Sequence, residues 1–212
     1  MSEHAANDRF VREATIEPEA IARARTHAIE LGAAPVSAAI GAQLALLAAA
    51  ANAKSIVEIG TGAGVSGLWL MRGAPGAVLT SIDKEPEHLA AARTAFADAR
   101  IPSTRVRFIT GRAAEVLPRM NEAAYDIVLV DADAENVIEY VEHGLRLVRS
   151  GGLVLVPRIL NGGRVADPVQ RDEITTAYRS LVQETQQSAA VLASLSHTAE
   201  GLLQLVSIAP AP

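Results

Sequence analysis

From residue 54 onward the chain alternates between two periodicities, and this alternation restricts its fold more than any other feature. SIVEIG (55–60) is a β-branched apolar run ending in glycine, and a helical pattern follows from Val65 to about Met71. AVLTSID (77–83) is the next strand, followed by a helix from Pro86 to Ala99 with proline well placed in its first turn. VRFIT (106–110), a helix to Met120, YDIVLVD (125–131), a helix from Glu135 to Val148 and GLVLV (152–156) complete the series. Strands alternating with helices imply parallel βαβ units with helices on both faces of one sheet. YDIVLV and GLVLV are nearly continuous apolar runs, as strands covered on both faces should be. The end differs: a helix over 175–187 precedes AAVLASLS (189–196) and LLQLVSIA (202–209), which read as an antiparallel hairpin added to the sheet edge. The expected fold is α/β, doubly wound and seven-stranded, mostly parallel with a C-terminal antiparallel hairpin.

Two helices are expected ahead of the first strand. One runs from Glu17 to Leu31 and stops at Gly32; the other is capped by Ser37 and runs to about Ala51. The 212 residues suit one domain, 1–212, with 1–52 as an N-terminal helical region. The longest stretch without a pattern is 158–171, and long loops in compact domains are often functional.

Composition removes several functions. Only three Phe, three Tyr and one Trp are present and the net charge is -5, which leaves neither a base-stacking surface nor a basic face for nucleic acid. With no cysteine, disulfides, thiolate nucleophiles and Cys-ligated metals are excluded. His4, His27, His88, His143 and His197 are scattered without metal-ligand spacing. The first ten residues do not read as a signal peptide and no apolar run reaches membrane-spanning length, so the expected address is cytoplasmic, with no membrane partner.

The strongest chemical signal is Glu58-Ile59-Gly60-Thr61-Gly62-Ala63-Gly64, where the first parallel strand turns into its helix. Gly60 and Gly62 allow a tight turn with a ligand against bare backbone, and the helix beginning near Val65 offers unpaired N–H groups. Glu58 is a carboxylate at the end of an apolar strand, for which a cationic ligand amine is a natural partner. Asp83 closes the second strand, the position from which an acid reaches a ribose diol in nucleoside-binding sheets. Gly62, Gly64 and Gly67 also spell the dinucleotide fingerprint. Its first glycine, however, falls two residues past the strand end, and the acid at 58 favours S-adenosylmethionine over NAD.

Over its whole length the chain resembles the cation-dependent O-methyltransferases, the group containing catechol and caffeoyl-CoA O-methyltransferases. EIGTGAGVSGLWL (58–70), SIDKEPEHLAAAR (81–93), GRAAEVLP (111–118) and VDAD (130–133), followed by GGLVLV, occur in that family's order and spacing. The resemblance implies a Rossmann-like sheet, commonly in a homodimer. It also implies that Glu58, Gly60, Thr61 and Ser66 surround the methionine end and ribose of the cofactor. Asp83 would hold the ribose hydroxyls, Ala113 lie beside the adenine, Asp133 bind the methionine amino group, and the backbone at Val36 touch the cofactor. The residue at 131 is implied to be a ligand of a metal that also grips two vicinal oxygens of the acceptor. Each position has a simpler reading as well: Ser66 as a first-turn helix residue, Val36 as a staple contact, Asp131 and Asp133 as caps of the next helix.

The chain then departs from the pattern. Where the family has Asp-Asn as its remaining metal ligands stand Pro157 and Arg158, and Ala134 stands where many members carry a lysine. Asp131 alone cannot organise the near-octahedral shell of Mg²⁺, so the sequence argues against the family's divalent metal. If Arg158 points inward, it adds a fixed positive charge where the dication would sit; otherwise it is an exposed arginine after the last strand. Asn161, Gly162, Gly163, Arg164 and Asp167 could line an acceptor pocket or form only a turn with a surface pair. Trp69, within a helix, reads as core.

The expected function is methyl transfer from S-adenosylmethionine to a hydroxyl of a small molecule, with Asp131 and Arg158 near the acceptor. The alternatives are a catalytically silent cofactor-binding relative and an NAD-dependent oxidoreductase. The homodimer is expected to use the Ala-rich helix over 37–51, which has apolar residues to spare.

Overall fold

A computed structural model describes residues 3–208. The seven expected strands all form: β1 (Ser55–Ile59), β2 (Val78–Asp83), β3 (Val106–Thr110), β4 (Tyr125–Val130), β5 (Val148–Pro157), β6 (Val191–Ser196) and β7 (Leu202–Ser207). They build one sheet in the order β3-β2-β1-β4-β5-β7-β6. β1 to β5 pair in parallel; β7 returns antiparallel beside β5, and β6 closes the edge antiparallel to β7. Pro157 ends β5, where it pairs with Leu202.

The helices are α1 (Glu3–Ala14), α2 (Glu19–Glu30), α3 (Ala38–Ala50), α4 (Val65–Gly73), α5 (Pro86–Asp98), α6 (Ala113–Val116), α7 (Val137–Leu147) and α8 (Glu173–Gln187). Ser37 caps α3 as expected, its hydroxyl accepting from the Ile40 N–H. Four details depart from the sequence reading. α1 lies in EHAANDRFVREA, too polar to show an apolar stripe. The helix expected to reach Met120 is a single α-turn that tightens into a 3₁₀ turn over Leu117–Arg119, because Pro118 supplies no N–H for an α-helical bond. The helix expected from Glu135 begins with a 3₁₀ turn over Ala134–Asn136. Its far end gives way at Val148, where β5 starts four residues earlier than its apolar run suggests.

Strand residues alternate between two cores. Ile56, Leu79, Ile127, Leu129 and Leu155 face α2 to α5 on one side. Val57, Ile82, Val128, Val154 and Val156 face α7 and α8 on the other, against Tyr140, Val141, Tyr178 and Leu181. Burial on both faces is what the continuous apolar runs require. From β1 the chain winds outward through β2 to β3, then crosses back to β4 and winds the other way. The reversal opens a crevice at the carboxyl ends of β1 and β4, where open α/β sheets place ligands.

Candidate active site

β1 and β4 approach each other closely at their ends. Gly60 has φ +93, and a Cβ there would collide with the Asp131 carbonyl oxygen, so both the conformation and the spacing require glycine. The chain then turns through Thr61, Gly62 and Ala63 into α4, whose N-cap is Gly64.

The crevice holds a cavity of about 290 Å³. Its wall includes Gly60, Thr61, Ser66, Asp83, Ala113, Asp131, Asp133 and Arg158, which are eight of the sequence-predicted positions. Glu58 and Val36 are not among the lining residues. Ala33, Ala34 and Pro35, in the segment between α2 and α3, contribute wall in place of Val36, which is buried in the core.

Glu58 is fully buried, and two hydroxyls occupy the carboxylate for which the sequence suggested a cation. Ser66 donates to Oε1 at 2.6 Å and Ser81 to Oε2 at 2.5 Å. Thr61 extends the network through a 2.6 Å contact with the Ser81 hydroxyl. Burial pushes the Glu58 carboxyl up to about 7, against the pull of the two hydroxyls. Glu58 thus ties the start of α4 to β2 from beneath the glycine turn.

Asp83 lies at the cavity floor. Its Oδ2 accepts from the Gly62 N–H at 2.9 Å and its Oδ1 from the Glu85 N–H at 2.9 Å. Oδ1 retains a lone pair for a ligand hydroxyl, and His88 Nδ1 stands 3.5 Å from Oδ2. Asp133, on the rim, pairs with Lys84 at 2.8 Å.

Asp131 stands between this cavity and a second one of about 360 Å³, whose lining includes Arg158, Tyr178, Glu200, Val137 and Ile174. Arg158 has φ +60, a left-handed turn directly after Pro157 that folds its side chain back over the strand ends. One guanidinium nitrogen donates to Asp131 Oδ1 and the other to the Ala34 carbonyl. Burial raises the Asp131 carboxyl above its ordinary value, the Glu200 charge adds to the rise, and Arg158 opposes it. Glu200 also accepts from the Ser37 N–H at 2.8 Å, so Arg158 and Glu200 together hold the segment before α3 across the crevice.

The irregular segment after β5 is firmly held. Arg179 donates to the carbonyls of Val165, Asp167 and Gln170, Asn161 to the Thr175 hydroxyl, and Arg164 pairs with Asp172 rather than with Asp167. Asn161 and Gly162 line the second cavity, whereas Gly163, Arg164 and Asp167 do not. Trp69 is buried core. Tyr178 and Glu200 were not singled out from sequence: on an amphipathic helix a tyrosine looks like any core aromatic, and Glu200 sits in a turn that only the fold brings to β4.

Parallel strands, an acidic crevice at their switch point and a glycine turn beneath it define a nucleoside-binding α/β protein. The family description O-methyltransferase matches residues 13–204, and the chain belongs to that family. A Mycobacterium bovis protein provisionally named an O-methyltransferase is 46% identical over 187 residues, covering 88% of this chain and 84% of the relative. Among solved structures, the O-methyltransferase TomG of Streptomyces achromogenes, involved in tomaymycin synthesis and crystallised with S-adenosylmethionine, has a TM-score of 0.87. It is 29% identical, with 99% of this chain and 100% of that one covered. A Bacillus cereus O-methyltransferase in complex with S-adenosylhomocysteine has a TM-score of 0.85 at 26% identity, with 95% and 97% covered.

A divalent metal of the kind the resemblance implies does not fit these residues. One Asp131 oxygen is bonded to the Arg158 guanidinium, whose positive charge would repel a cation, and the Pro157 side chain has no ligating atom. Among the described residues no group of three or more His, Asp or Glu side chains is arranged to hold a metal.

Proposed function

We propose that this protein transfers the methyl group of S-adenosylmethionine to a hydroxyl oxygen of a small molecule, with Arg158 taking over the electrostatic role that a divalent metal has in related enzymes. The observation that carries the reading is Asp131, a carboxylate shared by two cavities and held by Arg158. S-adenosylmethionine supplies an electrophilic methyl on a positively charged sulfur. Asp83 offers its carboxylate to the ribose hydroxyls, Ala113 lies where the adenine edge would pack, and the acids at 131 and 133 balance the ligand's positive charges. The backbone of Gly60 and Thr61 allows close approach.

Asp131 and Arg158 orient the acceptor from the second cavity. Transfer of this kind needs alignment and charge balance more than strong acid–base chemistry. The NAD alternative is disfavoured because Asp83 already takes the Gly62 N–H that a pyrophosphate would need. A cytoplasmic homodimer is the working form that best suits an acidic, cysteine-free chain with Phe10, Ile16 and Leu46 exposed near its N-terminal end. No helix among the described residues is long and apolar enough to cross a membrane.

Calorimetry on the Asp83→Ala variant tests the cofactor site. Hydrogen bonds to charged groups contribute about 1.5–3 kcal/mol each, so S-adenosylmethionine should bind roughly ten- to a hundredfold more weakly. Unchanged affinity in the folded variant removes Asp83 from the site.

A further inference from the structure

Two polar groups on the wall of the second cavity lack a protein partner. Tyr178 is only 7% exposed and lines the cavity, and its hydroxyl makes no hydrogen bond to any described residue. Asp131 gives Oδ1 to Arg158, and its Oδ2 accepts from no described residue.

Resting on the methyl-transfer reading above, we propose that Tyr178 is an acceptor-binding residue. Its hydroxyl and the free oxygen of Asp131 grip a single phenolic hydroxyl on an uncharged aromatic acceptor, with no second, vicinal oxygen required.

Three features of the cavity point to that class. First, nothing present chelates a pair of oxygens. The Arg158 guanidinium gives one N–H to Asp131 and one to the Ala34 carbonyl, and its remaining N–H groups can each meet an oxygen but chelate none as a dication does, so a catechol has no chelate to gain over a lone hydroxyl. Second, the cavity disfavours anionic ligands: Arg158 is paired with Asp131, Asp133 with Lys84 from outside the cavity wall, and Glu200 adds a further carboxylate that repels acidic acceptors. Third, Val130, Val137, Pro157 and Ile174 supply apolar wall suited to a flat ring. A phenol, titrating near about 10, yields its proton far more readily than an aliphatic alcohol, and the oxygen of Asp131 not bonded to Arg158 is placed on the cavity wall to take it. In the step, the acceptor O–H bond breaks and its proton passes to Asp131 Oδ2. The oxygen's electron pair forms the new bond to the methyl carbon, and the former carbon–sulfur pair stays on sulfur as the neutral thioether.

The test is calorimetry in EDTA on the full chain. S-adenosylhomocysteine is titrated first, then 2-naphthol, 2,3-dihydroxynaphthalene or 6-hydroxy-2-naphthoate is titrated into the saturated protein. The two neutral naphthols should bind within about threefold of each other, and the carboxylate at least tenfold more weakly. Tyr178→Phe, which keeps the ring, should weaken 2-naphthol about five- to tenfold, as expected for one hydrogen bond, and leave S-adenosylhomocysteine unchanged. That unchanged affinity is the control for folding, and the ranking of probes by the unaltered chain needs no variant. The proposal is overturned if 2-naphthol does not bind the saturated protein, if the vicinal diol gains tenfold on adding Mg²⁺, if the carboxylate binds best, or if Tyr178→Phe binds 2-naphthol as before. Failure of S-adenosylhomocysteine to bind appears in the first titration; it refutes the cofactor reading itself and this inference with it.

Discussion

Glu58 shows how a single buried acid leaves a signature on the whole protein. Its carboxyl is raised from 4.5 to about 7. Between those values the folded chain keeps a proton that the unfolded chain releases, so stability falls as pH rises through the window. The shift corresponds to about 3 kcal/mol. Glu58→Gln cannot ionise, so it should flatten the decline and gain up to about 3 kcal/mol on the parent between pH 4.5 and 8. Denaturant unfolding at several pH values checks this; parallel stability curves for the two proteins would contradict it. The sequence marks Glu58 as costly to leave unpaired but does not identify its partner. Ser66 and Ser81 reach it only because α4 and β2 flank β1, a relation between elements that residue spacing does not carry. Asp83 and Asp131 were more legible, since a strand end in this topology already faces the crevice.

At the scale of elements, β5 and the turn that follows it separate this chain from the pattern it resembles. The substitutions at Pro157 and Arg158 were readable as a loss of ligands, but the direction of the arginine was not. It depends on the left-handed backbone at Arg158, and a non-glycine residue with positive φ has no reliable sequence signal. The same boundary between local and tertiary information explains the helices. α3 and α5 carry their start signals in Ser37 and Pro86, whereas α1 has no apolar stripe to announce it. If Arg158 occupies the place of the cation, the double variant Pro157→Asp, Arg158→Asn should bind Mg²⁺ stoichiometrically where the parent binds none. Calorimetric titration of both proteins with MgCl₂ decides it. Stoichiometric binding by the parent would show that the guanidinium does not exclude the ion.

For the molecule as a whole, the alternation of strands and helices was sufficient to read the sheet and its terminal hairpin, because each strand's apolar pattern reflects cover on one or both faces. Association is harder to read, since an apolar residue outside the core carries no mark of what covers it. Leu46 is 68% exposed on α3, the helix expected to meet its copy in a homodimer, and Phe10 is 71% exposed on α1, which the sequence did not announce. Phe10→Glu with Leu46→Glu should leave the fold intact and convert a sedimenting dimer to monomer. A full-length chain already monomeric at micromolar concentration would end that proposal.

The most direct measurement is methyl transfer itself. The protein is incubated with methyl-labelled S-adenosylmethionine and an extract of small metabolites, with and without EDTA, and the labelled products are identified by mass spectrometry. A labelled O-methyl ether should form at the same rate in both reactions. Transfer that EDTA abolishes, label found on nitrogen or carbon instead of oxygen, or no transfer at all would contradict it.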